Sequence, residues 1–140
     1  MTAGDGHILN NFKEQILLGE VDCKNDIFKI ALYSGAYDSA IIDEATPVYS
    51  STDEIVASGY TAGGMSLTNL SITQNDTDNL AYWNCDDVTW TALGTATITK
   101  AVLYDDSIAS KYICVVWELG TNSNGANYTL HNVSGLLALS

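Results

Sequence analysis

The chain is 140 residues long, 46% of them apolar, with 17 acidic residues against five lysines and no arginine. That size and apolar content fit one domain around one core, and no apolar run reaches the roughly 18 residues a membrane-spanning helix needs. A net charge of −12 repels phosphate, which sets nucleic-acid binding aside, and without arginine there is no bidentate fork for carboxylates or phosphates. The acidity reads first as a solubility device; the sharper alternative is attraction of cations or of a basic protein surface.

The opening Met1-Thr2-Ala3-Gly4-Asp5-Gly6 has no basic region and no hydrophobic stretch behind it, so a secretory signal is not expected. Ile8, Leu9, Phe12 and Ile16 then recur at three- and four-residue intervals. This predicts one helix over His7 to Leu18, with Gly19 as its C-terminal stop and Asp5 placed to cap its start. Beyond Gly19 that periodicity is lost. Ile27 to Tyr33 is a strand with Phe28, Ile30 and Leu32 on one face and Lys29 on the other. Pro47, the only proline, belongs in a loop or at a strand edge.

Met65 and Leu67 alternate, and Leu70 and Ile72 alternate in the opposite phase. The slip predicts a bulge near Thr68-Asn69 or a break between two strands. Leu80 to Asn84, Val88 to Trp90 and Thr95 to Tyr104 supply further strands. Tyr112 to Leu119 is apolar on both faces until Glu118, as in a central strand covered on both sides. Gly120 to Gly125 reads as a polar turn, and Tyr128 to Leu130 and Leu136 to Leu139 close the chain as strands. The expected fold is mainly β: an antiparallel β-sandwich or jelly-roll-like barrel with one N-terminal helix, in a single domain over residues 1–140.

Four carboxylate doublets, Asp43-Glu44, Asp53-Glu54, Asp86-Asp87 and Asp105-Asp106, are the first candidates for chemistry. Neighbours on a strand point to opposite faces, so a doublet does not converge by itself. A small hydrolase built on them would need two carboxylates about 5 to 9 Å apart in one pocket. Asn75-Asp76-Thr77-Asp78-Asn79 alternates oxygen ligands that calcium accepts, but lacks the glycine and distal glutamate of a helix–loop–helix site. His7 and His131 have no metal-ligand partner spacing. Gly59-Tyr60-Thr61-Ala62-Gly63-Gly64 precedes no helix and holds no lysine, so it is a turn and not a phosphate cradle. Cys23, Cys85 and Cys114 are odd in number and widely spaced, which fits reduced thiols made in a cytoplasm. No catalytic residue, metal ligand or cofactor is expected. Trp83, Trp90, Trp117 and eight tyrosines leave open a sugar-stacking platform, although Trp83 and Trp117 sit in core-like runs.

Several stretches occur in a fixed order: Asn11-Phe12-Lys13-Glu14-Gln15-Ile16-Leu17-Leu18-Gly19, Phe28-Lys29-Ile30-Ala31-Leu32-Tyr33, Gly59 to Gly64, Asp86-Asp87-Val88-Thr89-Trp90 and Ala101-Val102-Leu103-Tyr104. Together they span most of the chain and resemble a group of small structural proteins of tailed-bacteriophage virions. The resemblance implies a non-enzymatic virion component, foremost a capsid cement or decoration protein. Such a protein is assembled in the bacterial cytoplasm, sits on the capsid surface and contacts the major capsid protein. It also implies a homo-oligomer, a trimer before a dimer. The alternatives are a tail or neck protein of the virion and a carbohydrate-binding module; neither nucleic acid nor membrane is an expected partner. Thr2, Ala3, Gly4, Asp5 and Gly6 are the expected partner-binding residues. This glycine-rich arm has no apolar side chain beyond Ala3 with which to offset an ordering cost of about 1–2 kcal/mol per residue, so a partner surface must hold it.

Overall fold

A computed structural model describes residues 6–35, 44–132 and 135–139. Ten strands and one helix follow one another: β1 (His7–Ile8), α1 (Asn10–Leu18), β2 (Phe28–Tyr33), β3 (Met65–Ser66), β4 (Ser71–Asn75), β5 (Leu80–Asn84), β6 (Val88–Trp90), β7 (Ala96–Asp105), β8 (Ile113–Ser123), β9 (Tyr128–Leu130) and β10 (Leu137–Leu139). They form a five-stranded sheet in the order β1-β8-β7-β2-β3, a three-stranded sheet β10-β5-β4 and a pair β6-β9. Every pairing is antiparallel. The fold is therefore mainly β and sandwich-like, with α1 as the one helix among the described residues.

The main core lies between the large sheet and the two small ones. Phe28, Ile30, Leu32, Leu103, Val115 and Trp117 of the large sheet meet Trp83, Val88, Trp90, Leu130 and Leu137 there, with Phe12 of the helix. Phe12, Ile30, Leu32, Leu103 and Val115 are wholly buried. The opposite face of the large sheet carries Ala31, Tyr33, Val102, Tyr104, Ile113 and Val116, which pack with Leu9 and with Tyr49. Strands β2, β7 and β8 are thus covered on both sides, as the two-faced apolar run at Tyr112 to Leu119 requires. Pro47 lies in the covering loop and accepts a hydrogen bond from the Ile113 N–H at 3.0 Å.

The phase slip after Leu67 resolves as a break between strands. Asn69 adopts φ 53°, and the chain leaves the large sheet at β3 to enter the three-stranded sheet at β4. Two expectations are corrected. The helix begins at Asn10 and not at His7, because His7 and Ile8 pair with Val116 and Val115 on the free side of β8. Leu9 at the helix entry offers no side-chain cap, and its own N–H donates to the Cys114 carbonyl at 3.0 Å, carrying the β1–β8 pairing up to the first turn. Gly19 closes the helix as expected, in the left-handed conformation at φ 75°.

The second correction is at Gly120 to Gly125. The strand runs on through Ser123, whose backbone pairs with Ala96. The Ser123 side chain is buried and accepts the Ala96 N–H at 2.9 Å while donating to the Gly94 carbonyl. Pairing and burial here override the local turn preference of glycine, asparagine and serine.

Candidate functional site

Asp43 lies outside the described residues; the other three carboxylate doublets separate as their spacing requires, but two of their members are buried. Glu54 is 8% exposed. Its carboxylate accepts the Tyr49 hydroxyl at 2.8 Å, the Gly63 N–H at 2.8 Å and the Tyr60 hydroxyl. Burial, first, and these bonds to Glu54 hold the Tyr49 and Tyr60 phenols protonated well above their ordinary range. The Tyr60 oxygen also accepts the Leu32 N–H at 2.9 Å. The cluster ties the 49–63 segment to β2 and is a structural strut.

Asp105 is wholly buried. One carboxyl oxygen accepts the Ser107 N–H at 2.8 Å, and the other meets no hydrogen-bond partner among the described residues. Burial raises its pKa to about 6, and the neighbouring Asp26 carboxyl adds to the rise. Its sequence neighbour Asp106 points the other way, between Lys29 at 2.7 Å and Lys111 at 2.6 Å. Those ammonium partners hold it below the usual carboxylate value.

Asp87 and His131 meet from distant parts of the chain, a pairing the sequence did not disclose. His131 Nδ1 lies 2.7 Å from Asp87, which also accepts the Asn132 N–H at 2.7 Å. That backbone bond, ahead of the imidazole, lowers the Asp87 pKa. Cys85, two residues before Asp87, accepts the Asn132 side-chain amide at its carbonyl at 2.6 Å, and its thiol is not activated. Burial, with Asp86 and Asp87 adding to it, pushes Cys85 up to about 12, and its sulfur donates to the Asp86 carbonyl at 3.1 Å. A nucleophilic cysteine needs its pKa lowered, not raised. Burial raises Cys23 to about 11 and Cys114 well above its ordinary value, so neither is activated.

Among the described residues no group of three or more histidine, cysteine, aspartate or glutamate side chains is placed to hold a metal ion. At the calcium candidate, the Asn75 and Asp78 side chains hydrogen-bond each other at 2.8 Å, and Asn75 accepts the Thr77 N–H at 3.0 Å. The segment is the turn between β4 and β5, closed on itself. Gly59 to Gly64 is likewise a turn: Gly64 takes φ 75°, and a Cβ there would overlap the Ile30 carbonyl. Trp83, Trp90 and Trp117 are all buried, at 2–3% exposure, so they form no sugar-stacking platform. Of the arm, Thr2, Ala3, Gly4 and Asp5 lie outside the described residues. Gly6 lies against Trp117, where a Cβ would come within 2.6 Å of the indole nitrogen; only glycine lets the backbone pass that close.

What remains is an apolar surface around β10. A cavity of 420 Å³ opens between α1 and the three-stranded sheet, walled by Ile16, Val21, Ile72, Ala81, Leu137 and Leu139. A second, of 270 Å³, lies on the other side of Ile16 against Phe12, Leu17 and Leu139. A third, of 340 Å³, lies against Leu139, Leu80 and the β4–β5 turn. Leu139 lines all three. Leu17 is 88% exposed and Ile72 56%, and Leu18 and Leu139 are also exposed. Ladder register explains the gap. Ile72, Trp83 and Leu137 form one cross-strand row on the inner face of the small sheet, and Gln74, Ala81 and Leu139 the next. Helix α1 covers Trp83, through Phe12 at 6.0 Å between ring centres, but stops short of Ile72. The sequence showed Ile72 and Leu139 as strand residues; it did not show that β10 would lie beside β5, which brings them to one opening.

Comparison with protein-family models, curated proteins and solved structures finds no match to this chain.

Proposed function

We propose that this protein is a non-enzymatic structural component of a tailed-phage virion, a cement or decoration protein that binds the assembled head and strengthens it. The observation that carries the reading beyond the ordered sequence motifs is the apolar surface around Leu139. On a domain of net charge −12 whose main sheet carries buried apolar side chains on both faces, exposed Leu17, Ile72 and Leu139 lining adjoining cavities mark a contact surface. Acidity keeps free copies apart before assembly, and apolar burial at joints between capsid subunits supplies the attachment. The partner is the major capsid protein. The arm Thr2 to Gly6 is a second contact, and a homotrimer gains avidity by engaging several subunits at once.

The reading is tested by sedimenting purified shells with the wild-type protein, with a form lacking residues 1–6 and with Leu17→Asp. Wild type pellets with shells, and both variants show reduced occupancy while keeping their folded spectra. Equal occupancy by the truncated form removes the arm from the mechanism. Binding to purified tails in place of shells moves the protein to the tail or neck.

A further inference from the structure

The three-stranded sheet is unfinished on two counts at the same place. Strand β4 is its outer member, and Ser71 to Gln74 are exposed along it. Among the described residues no backbone hydrogen bond joins β4 to anything but β5. Sheets blunt such an edge with lysine, proline, a bulge or a covering element. Ser71-Ile72-Thr73-Gln74-Asn75 has no charge and no proline, and pairs with β5 without a register shift. Beside this open edge the inner face is also bare: the row Leu137–Trp83–Ile72 ends at Ile72, on the wall of the 420 Å³ cavity. One added strand would satisfy both deficits. Its backbone would pair with β4, and its inward side chains would extend that row beside Ile72.

Charge says what kind of strand. Asp76 and Asp78 stand at one end of the edge and Asp86 at the other. Their hydrogen-bond partners are neutral: Gln74, Asn75, and Thr68 with Asn69. Lys29, Lys100 and Lys111 are engaged in ion pairs elsewhere, and β4, β5 and β10 contain no lysine. A second copy of this chain is a poor occupant, because antiparallel pairing of two β4 edges would set Asp76 and Asp78 of one against Asp86 of the other. We infer that the β4 edge accepts an extended segment of a different protein, with alternating apolar side chains and a lysine or arginine at each flank. The inference deepens the proposed function by naming the form of the capsid segment that the apolar surface would receive.

The test selects short random peptides, displayed as a library, against the intact protein. Enriched peptides should alternate valine or isoleucine with polar residues and carry basic flanks. They should slow amide hydrogen exchange along Ser71–Asn75, and added salt should weaken them. Ile72→Lys, at an exposed position, should keep its thermal midpoint and lose affinity on the order of tenfold or more. Asp76→Asn with Asp78→Asn should keep binding and lose much of the salt dependence. Enrichment of helical or acidic peptides, protection confined to α1, or no enrichment would overturn the inference. So would dimerisation of the free protein that Ile72→Lys abolishes, since a second copy would then be the occupant. Shells separate this from the wider reading. Shells that bind wild type and Ile72→Lys equally leave the cement reading standing and remove the edge. Peptide binding without shell binding does the reverse.

Discussion

Replacing Trp83 with alanine should loosen the small sheet from the large one. The indole is 3% exposed, stacks on Phe12 at 6.0 Å and meets Phe28 edge-on at 4.7 Å. Its Nε1–H donates to the Cys23 carbonyl at 2.6 Å. Its backbone sits opposite both Ile72 and Leu137. Truncating a buried tryptophan costs about 3–5 kcal/mol, and leaving the Cys23 carbonyl unpaired adds roughly 1 kcal/mol or more where water cannot reach it. The adjoining cavity admits some water and offsets part of this, so a loss of about 4 kcal/mol is expected, a large share of the roughly 5–15 kcal/mol that holds a domain folded. Trp83→Phe keeps a ring between Phe12 and Phe28 but removes the N–H, and should lose only about 1–2 kcal/mol. Urea unfolding followed by tryptophan fluorescence and far-ultraviolet dichroism measures both. A loss below about 1 kcal/mol for the alanine variant would refute the claim that Trp83 joins the sheets.

Gly64→Ala should destabilise by roughly 3 kcal/mol or more, since it combines a left-handed backbone with overlap on the Ile30 carbonyl; a neutral result in urea would mean that β3 does not approach β2 so closely. Asp105 holds its proton in the folded state up to about pH 6, against an ordinary value of 3.8, so the stability linked to that proton is complete below 3.8 and lost as pH rises through about 6. Asp105→Asn should therefore gain on wild type as pH rises from about 4 to 8, and a difference that does not vary with pH would contradict the burial of an ionisable group there. Calcium and EDTA should leave the melting temperature unchanged; a calcium-dependent rise of several degrees, lost in Asp76→Ala, would establish a site at Asn75–Asn79.

Alternation was legible wherever one residue decided a face. Phe28, Ile30 and Leu32 fell on the core side as read, and the slip at Thr68-Asn69 marked the passage from one sheet to the other. Ile8 and Leu9 were ambiguous because two apolar neighbours suit the start of a helix as well as a strand edge. The partner that decides them, β8, lies more than a hundred residues away. Burial of Glu54 and Asp105 was invisible for the same reason: a carboxylate in a turn and one sealed by distant strands look identical in sequence. The apolar opening depends on β10 reaching β5 from the chain's end, so none of its residues announced it alone.

The most direct test of a cement role is mechanical stability of the shell. Purified shells lacking this protein are titrated with it, and rupture is followed by light scattering as temperature rises. A cement role requires a rupture temperature that climbs with occupancy and levels off at saturation, with no gain from Leu17→Asp at equal concentration. Saturating wild-type protein that leaves the rupture temperature unmoved would contradict it.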